Sequence, residues 1–197
     1  MTDDKKIDYI LRTVEERDIR YLRLCFTDVL GNLKALSISP EELEEAFVEG
    51  IGFDGSSVDG FASQAQSDLL AFPDAATFQV LPWENDGEAV ANVFCDIQTP
   101  SRTPFEGDPR RVLERAFRKA DEKGYAMNVG PKLEYFYFTD SVHPTPIDHA
   151  GYLDLASSDL SHDLRYATTR ALEAMSIPVQ YSFHAAGPSQ NGVELRY

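Results

Sequence analysis

The sequence has little cysteine, little positive charge and no long apolar run, and each shortage excludes something. Cys25 and Cys95 are its two cysteines, too few for a thiolate metal site or a disulfide framework. Both sit in strand-like apolar settings, YLRLCF and ANVFCDI, and read as buried reduced thiols. Lysine and arginine number 18 against 33 aspartates and glutamates, a formal net charge of −15. A chain this acidic, with no basic run, is a poor match for nucleic acid or an anionic membrane. The charge reads as solubility, and it is uneven: residues 1–100 hold 20 acidic against 7 basic residues, residues 101–197 hold 13 against 11. No stretch reaches membrane length, and Met1 to Lys6 is polar and charged, unlike a basic-then-apolar leader. A cytoplasmic location is the expectation. What is present is enough apolar material for a core, with 43% hydrophobic and 11% aromatic residues over 197 positions, room for one large domain or two small ones.

In chain order, Ile7, Ile10, Leu11 and Val14 recur at helical spacing, predicting an amphipathic helix over 8–17 with Thr2, Asp3 and Asp4 as capping candidates. Ile19 to Thr27 and Leu33 to Ile38 read as strands joined by the turn DVLGN, a β-hairpin. Ser39-Pro40-Glu41-Glu42 is a helix start, with Ser39 as N-cap and Pro40 in the first position, and the helix runs to about Glu49 and stops at Gly50 and Gly52. FDGSSVDGF, residues 53–61, reads as a polar loop. Its glycines and serines permit a close ligand approach, although turns alone use the same composition. Extended segments follow at 67–73, 77–83 and 89–97. TPSRTPFEGDP, residues 99–109, has three prolines and a glycine and reads as a linker. The domain boundary is placed there, giving 1–102 and 103–197. Asp108 then caps a helix with Pro109 first and Val112, Leu113, Ala116, Phe117 and Ala120 as its apolar stripe. A second helix is predicted over 158–175, with Leu160, Leu164, Ala167, Ala171, Leu172 and Met175 toward the core, and a strand over 179–184. His143 and His149 lie in a loop without paired acids at ligand spacing and read as surface residues.

Between these helices lies GPKLEYFYF, residues 130–138. Period two puts Lys132, Glu134, Phe136 and Phe138 on one face of a core strand and Leu133, Tyr135 and Tyr137 on the other. A carboxylate inside an apolar strand needs a cation or donors to offset its burial. A functional site and a solvated Lys132–Glu134 pair at a strand end both fit that pattern.

GPKLEYFYF resembles the G-P-E-x-E-F/Y-F-x-F segment of type I glutamine synthetases. FDGSSVDGF resembles the family's D-G-S-S loop, SDLLAFP and LPW its S-D-x-x-x-x-P-D and L-P-W segments, and HAGYLDL its GGYFD segment near the nucleotide. Ser182 to Tyr197, SFHAAGPSQNGVELRY, resembles S-F/H-H-E-x-x-P/G-x-Q-N/H-E-I/V. The resemblance covers nearly all of residues 7–197. It implies an α+β chain with an N-terminal β-grasp-like domain, followed by an incomplete catalytic domain of antiparallel sheet with helices. It also implies ATP-dependent ligation of ammonia to L-glutamate through γ-glutamyl phosphate, with Mg2+ or Mn2+.

By the same resemblance Asp54 binds ammonium and takes its proton, supported by Ser57, and Glu134 is a metal-ligand position. The other ligand positions in these segments fall on Lys132, Ala185 and Gly192, none of which offers a carboxylate. An ammonium about 5 Å from a divalent ion repels it by several kcal/mol even at an effective dielectric of about 20. The expectation is therefore a disabled ligase: a truncated relative lacking the family's later residues and inactive alone. Two alternatives stay open, a non-catalytic assembly or regulatory subunit joined to a full-length homologue, and the active half of a split ligase. Homo-oligomers or mixed assemblies with family members are expected, since a partial sheet exposes edges and an apolar face.

Overall fold

The computed structural model describes residues 3–64, 67–83, 88–155 and 159–196. The capping candidate Thr2 and the predicted helix start at Ser158 lie outside them. The chain divides into two compact units, residues 1–127 and 128–197.

The first unit opens with α1 (Asp3–Glu16), five residues earlier than the periodicity placed it. Ile10 and Val14 are buried at the i, i+4 spacing that puts two side chains on one helix face. The predicted hairpin forms from β1 (Ile19–Thr27) and β2 (Leu33–Ile38), paired antiparallel from Leu22↔Ile38 to Thr27↔Leu33. Buried Asp28 shapes its turn, accepting bonds from the Leu30 and Asn32 amides at 2.9 and 2.8 Å. The Asn32 side-chain amide donates a further bond to Asp28 Oδ2 at 2.9 Å, and this bond, with the two backbone ones, holds the carboxyl down at about 2 against the opposing effect of burial.

A 3-10 turn (Pro40–Glu42) leads into α2 (Leu43–Glu49), and Ser39 takes the N-cap position without the side-chain cap bond the sequence suggested. Gly50 follows with φ +73°, and a methyl group there would come within 2.8 Å of the Phe72 ring, so both backbone and space require glycine. The strands β3 (Ile51–Asp54), β4 (Asp68–Pro73), β5 (Gln79–Val80) and β6 (Ala89–Gln98) complete a mixed sheet. Its order is β2-β1-β6-β4-β3, with β5 against β6. β6 is the hinge of this arrangement: its first half pairs parallel with β1 and its second half antiparallel with β4. A parallel pair needs a long crossover, which α2, β3 and β4 supply. The predicted strand over 77–83 shortens to two residues, and Phe53 and Asp54 end a strand where the sequence suggested loop.

Leu24, Phe26, Phe61, Leu69, Val93 and Ile97 form one cluster of the core, and Ile10, Ile19, Leu22 and Leu43 belong to another under the helices. Cys25 and Cys95 are free and buried, as expected, and burial raises both thiol pKa values. α3 (Pro109–Asp121) closes the unit, capped by Asp108 through the Arg110 amide. Its apolar stripe stays largely exposed at Val112, Leu113 and Phe117.

The second unit is a three-stranded antiparallel sheet of order β7-β9-β8, from β7 (Lys132–Phe136), β8 (Val179–His184) and β9 (Gln190–Leu195), with α4 (His162–Ala174). Two expectations fail here. β7 is an edge strand with mostly exposed residues rather than a core strand. α4 buries none of its leucines: Leu160 ahead of it and Leu164 within it are exposed, whereas Arg165 is buried. The reason is a polar network that draws Arg165 inward, described below.

Candidate functional site

In the first unit the loop after β3 is organised by Asp54. Its Oδ1 accepts bonds from the Ser56 amide and hydroxyl at 2.9 and 2.6 Å, and its Oδ2 accepts one from the Ser57 hydroxyl at 2.7 Å. The Ser56 side-chain bond, then that of Ser57, lowers the Asp54 pKa. The group is thus an exposed, ionised acceptor. Gly55 is buried, and a methyl group there would lie 2.4 Å from Leu69 Cδ1, so the tight turn depends on it.

The second unit brings Lys132, Glu134, Ala185 and Gly192 together on or beside one face of its sheet. Alternate strand residues share a face, and the register sets them in rows. Lys132 pairs with Glu194, which pairs with Tyr181; Glu134 pairs with Gly192, which pairs with Phe183. Phe136 pairs with Gln190, whose carbonyl accepts the Ala185 amide at 2.8 Å. Both carboxylate oxygens of Glu134 are engaged. Lys132 Nζ lies 3.0 Å from Oε1, and Gln190 Nε2 donates to Oε2 at 3.0 Å. Tyr181 donates its hydroxyl to Glu194. The glutamate hydrogen bond, offset in part by desolvation, raises the Lys132 pKa, so the ammonium stays charged.

Three features suit a bound divalent ion poorly. Lys132 occupies Glu134 with a positive charge. Ala185 is buried and offers only a methyl group. Gly192 has no side chain, and a methyl group added there would lie 2.3 Å from Phe183 Cζ, because the Phe183 ring fills that space.

The reverse side of the sheet carries a buried polar network that sequence reasoning missed. His184 Nε2 is 2.9 Å from Asp148 Oδ1, and His184 Nδ1 is 2.8 Å from the Ala185 carbonyl. Asp148 also accepts from the Ser189 amide, and the Ser189 hydroxyl accepts from the amides of Ile147 and Asp148. Asp159 accepts two bonds from Arg165, whose Nη1 also donates to Asn191 Oδ1 at 2.8 Å. Ser161 donates to Asp159 and Asn191. The seven residues whose side chains make these contacts, Asp148, Asp159, Ser161, Arg165, His184, Ser189 and Asn191, are all buried.

Asp148, Asp159 and His184 offer atoms within 4.8 Å of one another. Two carboxylates there already face a guanidinium and an imidazole with both nitrogens against acceptors, so the charges balance without a metal. The sequence signal for this network was faint: an arginine six residues after an aspartate, on a helix patterned for leucines. His143 and His149 are exposed, and His143 Nδ1 lies 3.8 Å from Asp140.

Comparison with known proteins adds a second line of observation. Residues 18–100 match the family "Glutamine synthetase, beta-Grasp domain" and residues 106–197 match "Glutamine synthetase, catalytic domain". A glutamine synthetase from Mycobacterium bovis is 48% identical over 200 residues, covering 98% of this chain and 45% of that protein. One from Methanosarcina mazei is 41% identical over 192 residues, covering 95% of this chain and 43% of its own length. The cryo-electron-microscopy structure of Plasmodium falciparum glutamine synthetase superposes with a TM-score of 0.82 at 22% identity, over 97% of this chain and 44% of that one. The chain therefore spans less than half the length of the curated relatives it matches.

Proposed function

This chain belongs to the glutamine synthetase family, and we propose that it is a form of that fold whose metal-binding face has lost its ligands and which carries no ligase activity by itself. The family reaction joins ammonia to L-glutamate at the expense of ATP, and divalent ions gather the negative charge of phosphate, carboxylate and nucleotide. The observation that carries the reading is the row Glu134–Gly192–Phe183: the one retained carboxylate faces a glycine, and an aromatic ring takes the glycine's side-chain space. Lys132 on Glu134 and Ala185 beside Gln190 support it. The residues present do not fit the Mg2+ or Mn2+ that the family uses.

The domain division at 102–103 belongs to this reading, supported by the gap between the two family matches. So do Asp54 as the residue that binds ammonium and takes its proton, with Ser57 in support, glutamate, ammonia and ATP as the parent fold's substrates, and a cytoplasmic setting. Among the described residues no helix is long and apolar enough to cross a membrane. A second reading, an assembly subunit that joins family members, is favoured by the exposed stripe on α3 and the exposed edge strand β7.

Calorimetric titration of ATP with Mg2+ or Mn2+ into the chain tests the main reading. No metal-dependent binding is expected. Metal-dependent nucleotide binding would overturn it in favour of a working half-site.

A further inference from the structure

We propose that Lys132 serves as a built-in cation, taking on this sheet face the place that a divalent ion takes in relatives, and that Phe183 packed over Gly192 holds it there. The inference rests on the family reading above and goes further, because it makes the three residues one device rather than three separate losses. Glu134 Oε1 meets Lys132 Nζ at 3.0 Å, and that Nζ stands 5.1 Å from the centroid of the Phe183 ring. A cation over an aromatic face is attracted by the ring's negative quadrupole. The ring is fixed in turn. It is buried, flanked by Tyr152 and Tyr181 at centroid distances of 6.0 and 5.7 Å, and seated in the space above Gly192.

A side chain at position 192 would expel the ring and remove the platform. With Gln190 on Oε2 and Lys132 on Oε1, no oxygen of Glu134 is left without a donor. Glu194, the other carboxylate of this face, takes the Tyr181 hydroxyl. Because Lys132 and Glu134 are both partly exposed, the pair adds little to stability. Its effect is on what else can approach Glu134.

The test adds Mn2+ to the isotopically labelled chain and reads paramagnetic broadening of backbone amides. No broadening centred on Glu134 and Gly192 is expected at millimolar Mn2+. Lys132→Glu should create such broadening and raise Mn2+ affinity at least about tenfold. Broadening centred on those residues in the parent chain would overturn the proposal, and this measurement needs no variant to fold. A folded Lys132→Glu protein with unchanged affinity would overturn it too.

A second arm compares thermal midpoints of Gly192→Ala, Phe183→Ala and the double variant. Gly192→Ala should lower the midpoint in the parent and barely change it where Phe183 is already alanine; additive effects would contradict the packing claim. Mn2+ bound at Glu134 with no nucleotide bound and no glutamine formed removes this inference and the claim that the face rejects a metal, and leaves the absence of ligase activity standing. Glutamine formation removes the reading beneath it.

Discussion

His184 Nε2 lies 2.9 Å from Asp148 Oδ1 with both side chains buried, while its Nδ1 faces the Ala185 carbonyl. Neither partner oxygen carries a proton to give, so the ring is held as an imidazolium against a carboxylate. Burial opposes the charge on His184, but the Asp148 and Ala185 hydrogen bonds outweigh it and raise the pKa. Burial likewise opposes the Asp148 charge, and His184 with Ser189 outweighs it and lowers the pKa.

The linkage follows with opposite signs for the two groups. The His184 contribution is full below its unfolded value of about 6.5 and is lost as pH rises through the higher folded value. The Asp148 contribution is full above about 3.9 and is lost as pH falls through the lower folded value. Urea unfolding should therefore show stability declining with pH on the alkaline side of about 6.5, and His184→Gln should flatten that slope. A parent and variant with the same pH dependence would contradict the charged-pair assignment.

Arg165 is the only buried residue of α4, and it compensates Asp159 with two bonds. The Arg165 hydrogen bond is the main reason the Asp159 pKa is lowered. Arg165→Met should cost about 3–5 kcal/mol, because it strands a buried carboxylate. Arg165→Lys should recover little of that loss, since an ammonium does not reproduce the two-pronged contact. Urea unfolding followed by amide resonances of residues 128–197 measures both.

Asp108 is buried and ties two elements together, accepting the Ile97 amide of β6 at 2.9 Å and the Arg110 amide at the start of α3 at 3.0 Å. Burial raises its pKa despite these bonds. Asp108→Ala should destabilise the first unit by about 2–4 kcal/mol, from a lost cap and an unpaired buried amide. Asp108→Asn, which keeps one acceptor, should fall between. Equal stability of all three proteins would show that the cap is dispensable.

The hairpin of β1 and β2 was legible residue by residue, because its alternation and its turn chemistry are both local. So were the Asp108 cap and the end of α2 at Gly50, where one residue decides the backbone. The metal-ligand positions are proposed from short motifs with fixed spacing, and the register of β7, β9 and β8 brings Lys132, Glu134 and Gly192 near one another. What the sequence concealed depends on partners far along the chain. Leucine periodicity near α4 marks the face that is apolar, not the face that is covered, and Arg165 is buried through Asn191, 26 residues away. The strand bearing Glu134 has the composition of a core strand, yet its place at the sheet edge follows from which strands pair with it. Phe183 over Gly192 was hidden for the same reason: the two meet only across β8 and β9.

Glutamine formation from glutamate, ammonia and ATP with Mg2+ or Mn2+ tests the central claim most directly. The assay compares the chain with a variant carrying Lys132→Glu, Ala185→Glu and Gly192→Glu. The proposed loss of metal ligands predicts no glutamine from the unaltered chain. Turnover by that chain would contradict it, and would mean that Glu134 and residues not considered ligands suffice to assemble a working site.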